Sequence, residues 1–163
     1  MMLFDFSNIA AVGGWLAIDD RVMGGVSRSR LRHDPAGHAV FEGLVCLERN
    51  AGFASVRSGI GVFGTPDADC CEIEVRGEER RYKLSLMTDD RFDTINYQAE
   101  FAPIGQKWTV VRLPISTFRA TFRGREVPGT PPLNPARIRQ IGLMIAGQQA
   151  GSFALDVRRI WLS

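Results

Sequence analysis

Two adjacent acids, Asp19 and Asp20, precede a pair of glycines and form the first candidate site for chemistry in this chain. Carboxylate oxygens are the ligands that hard cations such as Ca²⁺ and Mg²⁺ prefer. Two acids do not specify a metal site, however, and Asp side chains near turns commonly accept hydrogen bonds from backbone. We therefore expect these carboxylates to bond to nearby backbone, with Gly24 and Gly25 in a tight turn. No metal ion and no cofactor are predicted.

Histidine offers little further chemistry, because the chain contains only His33 and His38. They flank a predicted turn, neither has a cysteine or acid partner at ligand spacing, and we expect both to face solvent. The sequence also lacks a glycine-rich phosphate loop, a serine nucleophile motif and a metal-ligand cluster. These features predict that the protein is not an enzyme.

Arginines and phenylalanines are interleaved in the segment 118–125, which we expect to be a loop. Arg pairs bidentately with carboxylates, and aromatic residues and Arg are enriched at the centres of protein interfaces. We hypothesise that Arg119, Phe122, Arg123 and Arg125 contact a protein partner. Two alternatives stay open: the aromatic rings stack on nucleic-acid bases, or Phe118 and Phe122 plug one end of the domain while the arginines are solvated.

Polar residues at alternate positions of the predicted strands form a second candidate surface. Lys83, Asn96 and Gln98 share one outward direction if their strands are neighbours, and Arg57 is a further candidate. Amides and cations on an exposed sheet face suit a carbohydrate or another polar small ligand. The alternative is an ordinary solvated face, because outward polarity is also what alternation alone requires.

The tryptophans suggest the same carbohydrate function, because exposed aromatic rings stack on sugars. Trp108 begins a predicted strand, and Trp161 lies in the last one. Large aromatic side chains dominate the energetics of cores. We therefore expect Trp108 and Trp161 to lie in the core or at its edge.

Alternation of apolar and polar residues predicts how these candidates are positioned. About ten short alternating runs are separated by turn residues, which is typical of an antiparallel β-sandwich. Turn-forming residues at 34–37 and 76–79 predict hairpin connections, and Asn134 is expected to cap one short helical turn. The sequence predicts a single all-β sandwich domain over residues 1–163. Its expected core contains Ile73, Leu84, Leu86, Tyr97, Phe101, Leu143 and Leu155.

The composition is that of a globular protein of 163 residues with a net charge of +2. Because 20 basic residues nearly balance 18 acidic ones, we expect no nucleic-acid partner. Cys46, Cys70 and Cys71 lack the spacing of a disulfide framework, which indicates reduced thiols in a cytosol-like compartment. The sequence shows no secretory signal, transit peptide or apolar run of membrane-spanning length. We expect a cytoplasmic monomer that does not insert into a membrane.

Six short motifs, taken in order, resemble the complex I intermediate-associated protein 30 family. They are DDRVMGGVS at 19–27, GFASVRS at 52–58, RYKL at 81–84, YQAEF at 97–101, FRGR at 122–125 and RQIG at 139–142. The resemblance extends from about residue 15 to residue 161. It implies a jelly-roll β-sandwich similar to galactose-binding domains and carbohydrate-binding modules.

The resemblance also implies a function. Its family assists assembly of respiratory NADH:ubiquinone oxidoreductase, so a non-enzymatic, chaperone-like module that binds subunits of a respiratory or other membrane-associated complex is expected. The alternative is a binding module for a carbohydrate or another polar small ligand. Eukaryotic relatives work in mitochondria, and the absence of a presequence here indicates a bacterial protein.

Overall fold

The computed structural model describes residues 1–20, 25–48, 52–88 and 94–163, and within them it contains thirteen β-strands. The strands are β1 (Met2–Asp5), β2 (Leu16–Ala17), β3 (Arg28–Asp34), β4 (His38–Val45), β5 (Ala54–Arg57), β6 (Cys70–Gly77), β7 (Tyr82–Met87), β8 (Asn96–Phe101), β9 (Thr109–Pro114), β10 (Arg119–Phe122), β11 (Arg125–Glu126), β12 (Gln140–Ile145) and β13 (Gly151–Leu162). Helical structure among the described residues is limited to 3-10 turns, including Ile9–Val12, Ile115–Thr117 and Pro135–Arg137. Asn134 caps the last of these, as predicted, because its side chain accepts a hydrogen bond from the Ala136 amide.

Two antiparallel sheets form a sandwich. The first, sheet A, has the strand order β3-β4-β13-β6-β9, with β1 also paired to β13. The second, sheet B, has the order β11-β10-β8-β7-β12-β5-β2. Every described strand pair is antiparallel. The predicted all-β jelly-roll sandwich is confirmed.

The core lies between the two sheets and is built from the inward side chains of alternate residues. All seven predicted core residues are buried there. Leu84, Leu86, Ile141 and Leu143 are fully buried where β7 and β12 pair at the middle of sheet B. The apolar half of each alternating run therefore supplies the contact between the layers.

The two predicted hairpins have different outcomes. The turn at 34–37 joins the neighbouring strands β3 and β4, with Gly37 at φ 93° and its amide donating to the Asp34 carbonyl. The connection at 76–79 is not a hairpin, because it leads from β6 in sheet A to β7 in sheet B. Alternation defines the face of each strand but does not determine which sheet that strand joins.

Candidate functional site

The predicted arginine and phenylalanine loop is a β-hairpin at one edge of sheet B. The segment from Arg119 to Phe122 is strand β10, so the expectation of a loop is wrong for those residues. Phe122 pairs with Arg125, and the two-residue turn between them consists of Arg123 and Gly124. Both turn residues have positive φ, 49° and 80°, which gives the turn the twist that antiparallel strands require.

The tip of this hairpin presents an aromatic ring beside basic side chains. Phe122 is 37% exposed, and the guanidinium carbon of Arg123 lies 5.3 Å from the centre of its ring. Arg125 is exposed on the paired strand. Phe118 is only 5% exposed, so the plugging role considered for the two phenylalanines applies to Phe118 alone.

Arg119 does not belong to this tip. It pairs with Gln98 of β8, which directs its side chain to the outer face of sheet B, and its Nη1 donates to the Ser116 carbonyl at 3.0 Å. Phe122 lies on the opposite face of β10, because side chains alternate along a strand. The structure therefore brings Phe122, Arg123 and Arg125 together and places Arg119 with the second candidate surface.

That second surface contains one continuous row of paired residues across sheet B. The row runs through Arg57, Gly142, Ser85, Gln98 and Arg119. Gln98 Nε2 donates to Ser85 Oγ at 3.0 Å in the middle of the row. Four interstrand steps separate the two arginine backbones by about 19 Å. We call this row and its neighbours the outer face of sheet B.

Lys83 and Asn96 occupy the rows on either side. Lys83 pairs with Glu100 and with Met144, and Asn96 pairs with Thr121. The Asn96 Oδ1 atom is buried and accepts no hydrogen bond from the described residues. All four residues predicted for a ligand face thus share one face, as the alternation required, but Gln98 at its centre is only 7% exposed and not on an open surface as expected. Whether they bind a ligand stays a prediction.

The acidic pair has a structural role, because its carboxylates join separate connecting segments through hydrogen bonds. Asp20 is fully buried, and its carboxylate accepts hydrogen bonds from the Ser27 amide at 2.9 Å and the Ser27 hydroxyl at 2.6 Å. The same carboxylate accepts from the Gly52 and Phe53 amides at 3.0 and 3.2 Å. It therefore ties the chain before β3 to the chain before β5.

Asp19 acts in the same way on the neighbouring residues. Its carboxylate accepts from the Ser29 amide and hydroxyl at 3.1 and 2.5 Å and from the Ser55 amide at 3.0 Å. Bonding to backbone was expected, but the partners are far away in sequence and not local. Gly24 lies outside the described residues, so only Gly25 of the expected turn is seen, its amide donating to the Asp20 carbonyl.

The structure corrects the expectations for both histidines. His38 is buried, with Nε2 3.5 Å from Asp156 Oδ1 and its ring 5.3 Å from the Trp108 ring. His33 is half-buried and its Nε2 lies 3.0 Å from the Phe6 carbonyl oxygen. The Trp108 ring packs against His38, which does not face solvent, whereas His33 is partly exposed.

The placement of Trp108 and Trp161 in the core or at its edge is also wrong. Both are half-buried on the outer face of sheet A and lie outside the core cluster. Guanidinium carbons of Arg158 and Arg76 lie 4.0 and 4.7 Å from the Trp108 ring centre, and that of Arg159 lies 4.9 Å from Trp161. The arginines cover ring faces that a stacked sugar needs.

A β-bulge in β13 explains this arrangement of arginines. The register shifts between Val157 and Arg159, so Arg158 and Arg159 both oppose Glu74. The Glu74 carboxylate accepts from both guanidinium groups, at 3.2 and 3.0 Å. The adjacent arginines in an alternating strand were the sequence signal for this bulge, since strict alternation would place them on opposite faces.

Nothing in this geometry assembles a metal centre from the described residues. No three His, Cys, Asp or Glu side chains in the described ranges cluster as ion ligands. Cys46, Cys70 and Cys71 are free thiols, and burial raises the pKa of Cys71 well above its ordinary range. Among the same residues, no helix is long and apolar enough to cross a membrane.

Sequence comparison identifies the family. The sequence model described as complex I intermediate-associated protein 30 matches residues 4–157. The chain belongs to this family. An uncharacterised protein of Schizosaccharomyces pombe is 30% identical over 164 aligned residues, which cover 88% of this chain and 75% of that protein. The mitochondrial complex I intermediate-associated protein 30 of Drosophila melanogaster is 24% identical over 185 aligned residues, covering 99% of this chain and 62% of that protein.

Solved structures support the same architecture. The family 11 carbohydrate-binding module of the Clostridium thermocellum cellulase Lic26A-Cel5E superposes with a TM-score of 0.67 at 17% identity, covering 100% of this chain and 94% of that chain. The same kind of module in complex with a β-1,3-1,4-mixed-linked tetrasaccharide gives a TM-score of 0.66 at 18% identity, covering 98% and 94%. These likenesses show the fold of a carbohydrate-binding module in a member of the complex I intermediate-associated protein 30 family.

Proposed function

We propose that this protein is a non-enzymatic, chaperone-like module that binds protein subunits during assembly of a respiratory complex or another membrane-associated complex. The observation that carries the proposal is the β10–β11 hairpin, which holds a partly exposed Phe122 between Arg123 and Arg125 at the edge of sheet B. The family match over residues 4–157 supports a partner of this class. The proposed location is the bacterial cytoplasm, facing such a complex.

The hairpin suits a protein contact for physical reasons. Arg123 and Arg125 offer forked donors for carboxylates, and the Phe122 ring adds apolar area that a partner can desolvate. The two-residue turn fixes the backbone, which lowers the entropy lost when the tip binds. A rigid basic and aromatic tip recognises an acidic partner surface with an apolar centre.

Affinity purification from the native host tests the proposal. We expect the double variant Arg123→Ala with Arg125→Ala to lose the partners that co-purify with the unaltered protein. Removal of interface anchor residues weakens binding by about 2 kcal/mol or more. The melting temperature should change little, because exposed arginines contribute little to folding.

A matched control removes two arginines elsewhere. Arg28 and Arg137 are exposed on other parts of the molecule, so Arg28→Ala with Arg137→Ala changes the net charge equally. This control should retain the partners. A folded hairpin variant that also retains every partner would show that the contact surface lies elsewhere.

The outer face of sheet B supports a second candidate function, the binding of a carbohydrate or similar polar ligand. The supporting observation is the row from Arg57 to Arg119, with Ser85 and Gln98 at its centre. Titration with the mixed-linked tetrasaccharide should then shift the NMR signals of Gln98 and of its neighbours Ser85 and Arg119, and Gln98→Ala should abolish the shifts of those neighbours. Unchanged spectra with millimolar sugar would exclude that ligand.

A further inference from the structure

We propose that the partner docks as an extended segment along the free edge of β9, with alternating apolar and acidic side chains, so that sheet A gains a strand beside the hairpin tip. This inference rests on the proposed function and adds a mode and a chemical class of partner to it. It starts from an unequal strand count. Of the strands that the structure describes, sheet A places five side by side, whereas sheet B places seven.

Because the two sheets differ in strand number, sheet B extends beyond sheet A on one side of the sandwich. At the opposite side, β3 of sheet A lies against β2 and β5 of sheet B. The surplus strands of sheet B are therefore on the β9 side, where β11 is the outermost strand. Phe122 lies on the core-facing side of β10 together with Ala120, which pairs with the buried Tyr97. Its 37% exposure shows that the existing strands of sheet A leave part of this ring uncovered.

The side of β9 that faces away from β6 has backbone groups that can pair with a further strand. Among the described strands, β9 pairs with β6 alone. The Ile115 amide donates to the Asp69 carbonyl at 2.8 Å, so the residues in the same phase as Ile115 bond toward β6. In an antiparallel ladder the intervening residues point the other way, so Val110 and Arg112 direct their N–H and C=O groups to the free edge. Such an edge is a template for strand addition.

Side chains around this edge define the chemistry of the added segment. On the outer face, Arg112 has a 67% exposed side chain that reaches Glu72 at 3.2 Å, and an acidic residue opposite it would form a cross-strand pair. On the inner face, an apolar residue would cover Phe122. Arg123 and Arg125 add positive charge at the tip, whereas Glu126 pairs with Thr121 and is directed to the far face of sheet B.

The test uses backbone-specific variants and a defined probe. Val110→Pro removes the edge amide at residue 110 and leaves the amides that bond to β6 in place. Val110→Ala is the matched control, because it shortens the same side chain and keeps the amide. Phe122→Ser removes the uncovered ring. The probe is a displayed library of random peptides, each about twelve residues long, enough to span a six-residue strand with flanks.

We expect selection on the unaltered protein to enrich peptides with apolar residues at alternate positions and Asp or Glu between them. Their affinity should fall about tenfold in Val110→Pro and in Phe122→Ser and should stay within about threefold in Val110→Ala. Melting temperatures confirm that each variant is folded. If Val110→Pro unfolds, Arg112→Pro is compared with Arg112→Ala, which lacks the same charge pair, so that a further tenfold loss in the proline variant reports the edge amide alone. Protection of the Val110 and Arg112 amides from hydrogen exchange by a selected peptide supplies an independent readout.

Three results would overturn this inference. In the first, the selected peptides bind Val110→Pro as well as they bind Val110→Ala. In the second, selection enriches no more peptides than it does on an unrelated β-sandwich. In the third, the protein forms a dimer that Val110→Pro dissociates, which would assign the edge to a second copy of the chain. The proposed function fails separately. If Val110→Pro retains every host partner while the Arg123 and Arg125 double variant loses them, the hairpin binds a partner but β9 does not.

Discussion

The guanidinium carbon of Arg123 lies 5.3 Å from the centre of the Phe122 ring, next to the turn that joins β10 to β11. The contact joins neighbouring residues, and the backbone of Arg123 is in the left-handed region, with φ 49°. A cation above a partly exposed ring contributes about 0.5–1 kcal/mol. The hairpin tip is therefore a preorganised basic and aromatic unit.

The shape of this tip depends on Gly124. Its φ is 80°, and an added Cβ would meet nothing within 4 Å, so the cost of a side chain there is conformational and not steric. Gly124→Ala should lower the free energy of unfolding by about 1 kcal/mol. Gly59→Ala is the control, because its φ is not in the left-handed region and its Cβ has room. Equal effects in urea titrations of the two variants would contradict the assigned turn.

The hydrogen bonds that the Asp20 carboxylate accepts should contribute most of the stability of the connections that they join. Asp20→Ala leaves the amides of Ser27, Gly52 and Phe53 without their buried acceptor, so we expect a loss of about 3 kcal/mol or more. Asp67→Ala, at an exposed position, should stay within about 0.5 kcal/mol. Urea unfolding measures both changes. A loss below 1 kcal/mol at Asp20 would argue that water or another group replaces the carboxylate.

Asp19 makes the stability of the folded protein depend on pH in a defined direction. Burial raises its pKa above the ordinary 3.8, outweighing the hydrogen bonds from Ser29 and Ser55. The folded state therefore holds this proton more tightly than the unfolded chain, and the stability due to Asp19 is largest below pH 3.8 and falls as pH rises through the folded pKa. The stability deficit of Asp19→Asn should shrink from acid to neutral pH.

Asp5 provides the control of opposite sign. The hydrogen bond from the Ser7 hydroxyl lowers the pKa of Asp5, so its contribution is present above pH 3.8 and is lost as pH falls through the folded pKa. The deficit of Asp5→Asn should accordingly grow from acid to neutral pH. Two deficits that change in the same direction in urea titrations would refute the assignment of Asp19.

The bulge on sheet A is tested at Glu74. Glu74→Ala removes the carboxylate that holds Arg158 and Arg159 together, and like charges then face each other. Because both guanidinium groups are partly exposed, we expect a loss of only about 1 kcal/mol. Glu74→Gln should recover part of it through hydrogen bonds, and Glu78→Ala should have little effect. No change in Glu74→Ala would mean that the backbone alone maintains the bulge.

Alternation predicted the faces of the strands well. Leu84 and Tyr97 are in the core and Lys83 and Gln98 are on the outer face, since period two is a local property of an extended chain. Prediction failed where the outcome depends on distant partners. The Asp20 carboxylate binds amides 7 to 33 residues away, and no spacing rule specifies such partners.

The tryptophans and the hairpin were harder to predict for related reasons. Trp108 lies on the outer face of sheet A, where arginines from β6 and β13 cover its ring, and these neighbours depend on strand order and not on residue type. The hairpin tip was predicted from its residue types. Arg119 is separated from the tip because side chains alternate along β10, and the sequence had predicted a loop for this segment. The free edge of β9 becomes visible only once the sheets are counted.

The most direct test of the account follows membrane complexes in the native host. Native gels and quantitative proteomics would compare a deletion strain with strains that express the unaltered protein or the Arg123→Ala with Arg125→Ala variant at equal level. We predict that a respiratory or other membrane-associated complex is depleted on deletion, restored by the unaltered protein and not restored by the variant. An unchanged set of assembled membrane complexes in the deletion strain would contradict the proposed function.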